Sequence, residues 1–102
     1  MVRSLRSMVR VGERAQRALA SAAMLDDVVA HQLPLLAALP EESRRRSADY
    51  LAELVMLAQS YRHYARGWIT KRELDRRGRT AVTRLDQLRR SRPLPVQLTE
   101  QD

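Results

Sequence analysis

The chain has 102 residues and a formal net charge of +7, with 19 basic residues against 12 acidic ones, and eighteen of the 19 are arginine. That length supports one small domain with a single modest core, which oligomerisation would help to stabilise. The absence of cysteine excludes disulfides and cysteine-based zinc sites; no apolar run reaches the roughly 20 residues that span a membrane; and the dominance of Leu, Ala and Arg, all good helix formers, predicts an all-α protein without a strand.

The first predicted helix runs from about Ser4 to Leu33. Arg3, Arg6, Arg10, Arg14 and Arg17 recur along it at steps of three and four, within an arc of roughly 80°. Leu5, Met8, Ala15 and Leu19 fall on the other side. Gly12 is a weak point, and Asp26 lies where the apolar face should continue, so a bend or restart near Leu25 is expected. Pro34 ends or kinks whatever precedes it. Residues 1–24 have the Arg- and Ser-containing, almost acid-free composition of a transit peptide, but the same pattern describes an ordinary basic amphipathic helix, which is the preferred reading. No continuous apolar region follows Arg3 and Arg6, so no secretory signal is read and the expected location is the cytoplasm.

The segment Leu33–Pro40, bounded by two prolines, is too apolar for a free linker and is expected to form a short helical turn packed on the core. A second helix should begin with Pro40 at its first position, where a missing N–H costs nothing, and Glu41 and Glu42 complement the macrodipole. It should run to Arg66 and stop at a left-handed Gly67. Its apolar positions, Leu51, Leu54, Val55, Ala58, Tyr61 and Ala65, widened by Tyr50, Leu57 and Tyr64, cover nearly half the circumference. That predicts a central helix with two neighbours. Arg44, Arg45 and Arg46 either clamp a phosphate or pair with Asp26, Asp27, Glu41 or Glu42; pairing is favoured because cations oppose the dipole at a helix start. Asp49 and Glu53 are read as solvated carboxylates of a polar face.

Near the end of that helix, Tyr61, Arg62, His63, Tyr64, Arg66 and Trp68 interleave aromatics with cations. His63, Tyr64 and Trp68 are candidate stacking residues for unpaired bases. The competing reading packs Tyr61 in the core and has Trp68 plug the end of the bundle. A third helix, Lys71 to about Arg90, opens with a Thr70-x-x-Glu73 capping box and an Ile69–Leu74 staple. Gly78 either weakens it or permits a close backbone approach. Arg72, Arg76, Arg79 and Arg90 share an arc of about 60°, opposite Leu74, Ala81, Leu85 and Leu88. Neither arginine stripe contains an acid. Residues 1–92 are thus read as one helical-bundle domain of three long helices plus the elbow, with four helices if the first one splits. Residues 93–102 are read as an extended acidic tail.

Chemistry-bearing motifs are scarce. His31 and His63 are the only histidines and have no partners at metal-ligand spacing. There is no glycine-rich phosphate loop, nucleophile elbow or histidine–carboxylate motif. The expectation is a non-enzyme with no metal and no cofactor.

The run Pro34-Leu-Leu-Ala-Ala-Leu-Pro40, the Leu-rich stretch Glu41–Tyr61 after it and the Gly67-Trp-Ile-Thr70 turn into a final helix resemble the accessory variability determinant family. Its members are small basic four-helix bundles that work with the reverse transcriptases of diversity-generating retroelements. The resemblance covers about half the chain. It implies a ring-like oligomer that binds a polymerase and its RNA through basic surfaces. The chain departs from the family in lacking a helix between the segments matching Tyr61 and Gly67.

Independently of that resemblance, the charge distribution predicts a polyanion binder. The leading expectation is a non-enzymatic nucleic-acid-binding accessory protein, oligomeric within a larger nucleoprotein complex. It would contact RNA or DNA phosphates without reading sequence through Arg3, Arg6, Arg10, Arg14, Arg17, Arg72, Arg76, Arg79 and Arg90. The alternative is a helical adaptor or inhibitor of phage or plasmid type that docks on an acidic protein surface. Membrane binding is not expected, because the apolar face of the first helix is Ala-rich and lacks aromatics.

Overall fold

A computed structural model describes the backbone of residues 2–90 and the side chains of residues 12–90. The protein is all-α: α1 spans Val2–Gln32, a 3-10 elbow Leu33–Ala38, α2 Glu41–Ala65 and α3 Lys71–Arg90. The expected acidic tail, residues 93–102, lies outside the described residues.

α1 runs unbroken through both expected weak points. A glycine costs only about 1 kcal/mol in a helix, too little to divide one of 31 residues. Asp26 does not interrupt the packing, because Arg62 of α2 donates to its carboxylate. The first helix therefore does not split, and the chain has three α-helices in its described part, not four. The elbow touches both α1 and α2, yet none of its residues is buried, and Leu33 and Leu35 are more than half exposed. It lies on the core without being part of it.

The helix ends follow local chemistry. Pro40 caps α2 from outside, with φ −56° and ψ 154°, and its carbonyl accepts the Arg44 N–H at 2.8 Å; it is not the first helical residue. At the other end Gly67 has φ +78°. Its N–H donates to the Tyr64 carbonyl at 2.9 Å, and the Trp68 N–H donates to the His63 carbonyl at 2.9 Å. These two bonds are the Schellman pair that satisfies the last carbonyls of a helix. Thr70 caps α3, its Oγ1 accepting the Glu73 N–H at 3.1 Å. The reciprocal half of the capping box does not form, because the Glu73 carboxylate accepts from Arg76 and Arg77 instead.

α2 packs against both other α-helices, and α1 and α3 make no contact with each other among the described residues. Ala18 and Ala22 of α1, Leu51, Leu54 and Ala58 of α2, and Leu74 and Ala81 of α3 form the buried core. Small side chains at Ala18, Ala22, Ala58 and Ala81 leave little volume to fill between the axes. At 100° per residue, Leu51, Leu54 and Ala58 share an arc of roughly 60°, and Glu53 lies roughly 130° from its centre. Glu53 meets Arg84 of α3, which places it on the second neighbour's side.

The ion pair between Asp26 and Arg62 marks the register of α1 on α2. Only three residues of α2 follow Arg62, whereas 24 residues of α1 precede Asp26. With the two helices antiparallel, the first part of α1, ahead of the buried Ala18 and Ala22, projects past the end of α2, and the elbow runs back along the first half of α2. The principal extents, 72 × 24 × 19 Å, agree: α1 alone is about 46 Å long. The radius of gyration is 18.3 Å, against about 13 Å for a compact chain of this length. The three α-helices form the expected small helical bundle, but a staggered, elongated one rather than a compact one.

Candidate nucleic-acid interface

Arg3, Arg6 and Arg10 lie on the α1 backbone, and their side chains fall outside the described residues. Arg14 and Arg17 are exposed and make no ion pair among the described residues. Both lie just ahead of the buried Ala18 and Ala22 on α1, with their own side chains in solvent. Among the described residues α1 and α3 make no contact with each other.

On α3 the stripe is not free of acids. Arg76 donates through Nε and Nη2 to Glu73 at 3.0 and 2.6 Å, and Arg77 donates to the same carboxylate at 2.9 Å. Arg90 pairs with Asp86 at 3.0 Å, and Lys71 with Asp75 at 2.8 Å. These acids sit three or four residues from their partners, within side-chain reach along a helix. Hydrogen bonds from Arg76 and then Arg77 hold the Glu73 carboxyl down at about 2. The same pair pushes the Arg76 guanidinium up, and the Asp75 hydrogen bond raises the Lys71 ammonium. Arg72 and Arg79 are exposed and make no ion pair among the described residues. Exposed pairs are weak and a guanidinium has five donors, so Arg76 and Arg90 keep capacity for a phosphate, but Arg72 and Arg79 offer it without competition.

Arg44 and Arg45 are exposed and, among the described residues, do not form the expected ion pairs with Asp26, Asp27, Glu41 or Glu42. One acid of that reading, Asp26, is taken by Arg62, because the register carries it along α2, away from the helix start. The described charge surface is thereby more open at the start of α2 than the sequence suggests.

The aromatics divide. Tyr61 and Tyr64 are half-buried on α2. Trp68 is 65% exposed and does not plug the end of the helices. The Arg66 guanidinium lies over its ring, 5.0 Å from the centroid, and the His63 ring is 5.2 Å away, tilted by 37°.

Glu53 is the functional-looking residue that sequence reasoning misplaced. It is 7% exposed and accepts from Arg84 Nε at 2.9 Å; it is not on a solvated face. The signal was its spacing: Glu53, Leu57, Ser60 and Tyr64 step by four, three and four, one helical stripe. Among the described residues no group of three or more His, Asp or Glu could hold a metal ion, and no helix is long and apolar enough to cross a membrane. No family model, curated protein or solved structure matches the chain.

Proposed function

We propose that this protein is a non-enzymatic nucleic-acid-binding accessory protein that grips phosphates through arginines on α1 and α3 without reading sequence, and that it works as an oligomer. The observation that carries this reading is the set Arg14, Arg17, Arg72 and Arg79: four exposed guanidiniums on two helices, none with a carboxylate partner among the described residues. Unneutralised arginines on rigid helices suit a row of phosphate oxygens, which guanidinium contacts bidentately. Arg76 and Arg90 would join once a phosphate competes with their carboxylates, and Arg3, Arg6 and Arg10 would extend the α1 row by their helical spacing.

The test is binding of fluorescent single-stranded RNA, single-stranded DNA and duplex DNA across a salt series. Affinity should fall steeply with salt, since each phosphate contact releases counterions. Arg72→Glu with Arg79→Glu should weaken all three complexes and leave helicity intact. Unchanged binding in that double variant overturns the site.

A second reading has one observation in its favour. Met24 and Val28 on α1 and Leu33 and Leu35 on the elbow are exposed large apolar side chains close in sequence, which an adaptor docking on a protein would bury. An adaptor should purify free of nucleic-acid absorbance, whereas a nucleic-acid binder carries it and sheds it in high salt.

A further inference from the structure

We infer that Trp68, with Arg66 on its ring and His63 beside it, is a stacking platform for an unpaired nucleobase, so that the protein prefers single strands to duplex. The inference rests on the nucleic-acid reading above and names the kind of strand it takes.

The platform is built by the backbone. Gly67 at φ +78° turns the chain so that the Trp68 N–H reaches the His63 carbonyl. In that motif the side chains of the residues bearing those two groups meet, and here they are indole and imidazole, 5.2 Å apart. Arg66, the helix cap, lays its guanidinium over the indole at 5.0 Å. The Thr70 cap starts α3 two residues later. Trp68 is therefore held between two capped helix ends rather than on a long loop.

A ring so held and still 65% exposed presents a large π surface to solvent. Stacking on an aromatic ring is open to every base, and Arg adds cation–π attraction. From Arg66 to Arg72 the chain carries three cations and no acid. Arg66 and Arg72 are exposed, and neither forms an ion pair among the described residues. They can meet the phosphates on either side of a stacked base. In a duplex the bases are stacked on one another, and the ring could reach only a strand end.

Trp68 is the only tryptophan, so its emission reports this site alone. Titration of the full chain with single-stranded oligonucleotides of RNA and of DNA should quench it, and duplex DNA of equal length should do so far less. Trp68→Ala should lose about five- to 150-fold in single-strand affinity, the range for one stacked base, with duplex affinity unchanged. Trp68→Phe should recover part of the loss, and circular dichroism checks that both variants fold. Emission that does not change with any strand, while duplex binding still depends on Arg72 and Arg79, overturns the platform alone and leaves the ring to a protein contact. Equal loss for single strand and duplex in a folded Trp68→Ala also overturns it. Absence of all binding at low salt overturns the nucleic-acid reading itself.

Discussion

The same substitution should have opposite signs at two glycines. At Gly67 a Cβ would meet nothing within 4 Å, but φ is +78°, a conformation that costs an L-residue about 1–2 kcal/mol. Gly67→Ala should therefore lower stability by roughly that amount in chemical denaturation. Gly78 lies inside α3 at ordinary helical φ, and a Cβ there also meets nothing. Gly78→Ala should raise stability by about 0.5–1 kcal/mol, and a loss there would mean that the open space around it is filled by a partner. The stop at Gly67 was readable because Gly after a helical pattern has one dominant use. Gly78 was not, since sequence cannot tell a weak spot from a close approach; the empty surroundings decide for the former. Glu53 shows another limit. Its side chain is 9% exposed while that of Arg84 is 63% exposed, so the two partners are not equivalent. Arg84→Ala leaves a carboxylate facing the interface without its counter-charge and should cost about 1–3 kcal/mol. Glu53→Leu frees an arginine that water already reaches and should cost less. Equal losses, measured by denaturant midpoints, would show that the ion pair does not govern the site.

At the scale of the element, α3 is a helix whose arginine stripe is in part unpaired among the described residues, at Arg72 and Arg79, and in part an internal ladder. Periodicity located the stripe and both ends of the helix, because spacing and caps are local properties. It could not show which arginines are engaged, since that depends on rotamers choosing between neighbours at three and four residues. Glu73 makes that choice testable. Its carboxyl is held at about 2 by Arg76 and Arg77, below an ordinary 4.5. A depressed native value means that the ionised side chain favours the folded state above the ordinary value, and that this contribution is lost as pH falls from about 4.5 towards 2. Far-UV circular dichroism should show an acid-induced loss of helicity in that window that is smaller in Glu73→Gln. The same variant releases Arg76. It should bind single-stranded RNA more tightly at neutral pH, with a salt slope steeper by about one contact. Weaker binding would mean that Glu73 orients Arg76 rather than occupying it.

On the scale of the whole molecule, three helices, their order and the central place of α2 were legible, because α2 alone is apolar over two flanks. The stagger was not. It shows in the pairing of Asp26 with Arg62, 36 residues apart, and in an elbow that runs along α2 instead of turning tightly, and neither is a local property of the sequence. That stagger has a consequence for assembly. The chain exposes 8264 Å², where a compact monomer of 11.8 kDa would expose about 5,900 Å². α1, with 31 residues, extends beyond α2 on the side that precedes its buried Ala18 and Ala22. Most helical stability in proteins comes from packing an amphipathic face, and Leu19, at the edge of the packed stretch that holds Ala18 and Ala22, is 42% exposed. A second copy, with its own projecting segment, offers the matching surface: apolar sides would meet and the arginine stripes would face outward as a doubled phosphate-binding row. Sedimentation equilibrium should then give a mass that rises above one chain with concentration, and the melting temperature should rise with it. Leu19→Glu places a charge in the contact at a position that the isolated chain leaves partly in water. It should return the protein to a monomer, lower its helicity and weaken nucleic-acid binding more than the loss of one positive charge would. A single-chain mass and a concentration-independent melt in the unaltered protein would overturn this assembly, and the phosphate grip would then belong to one rod acting alone.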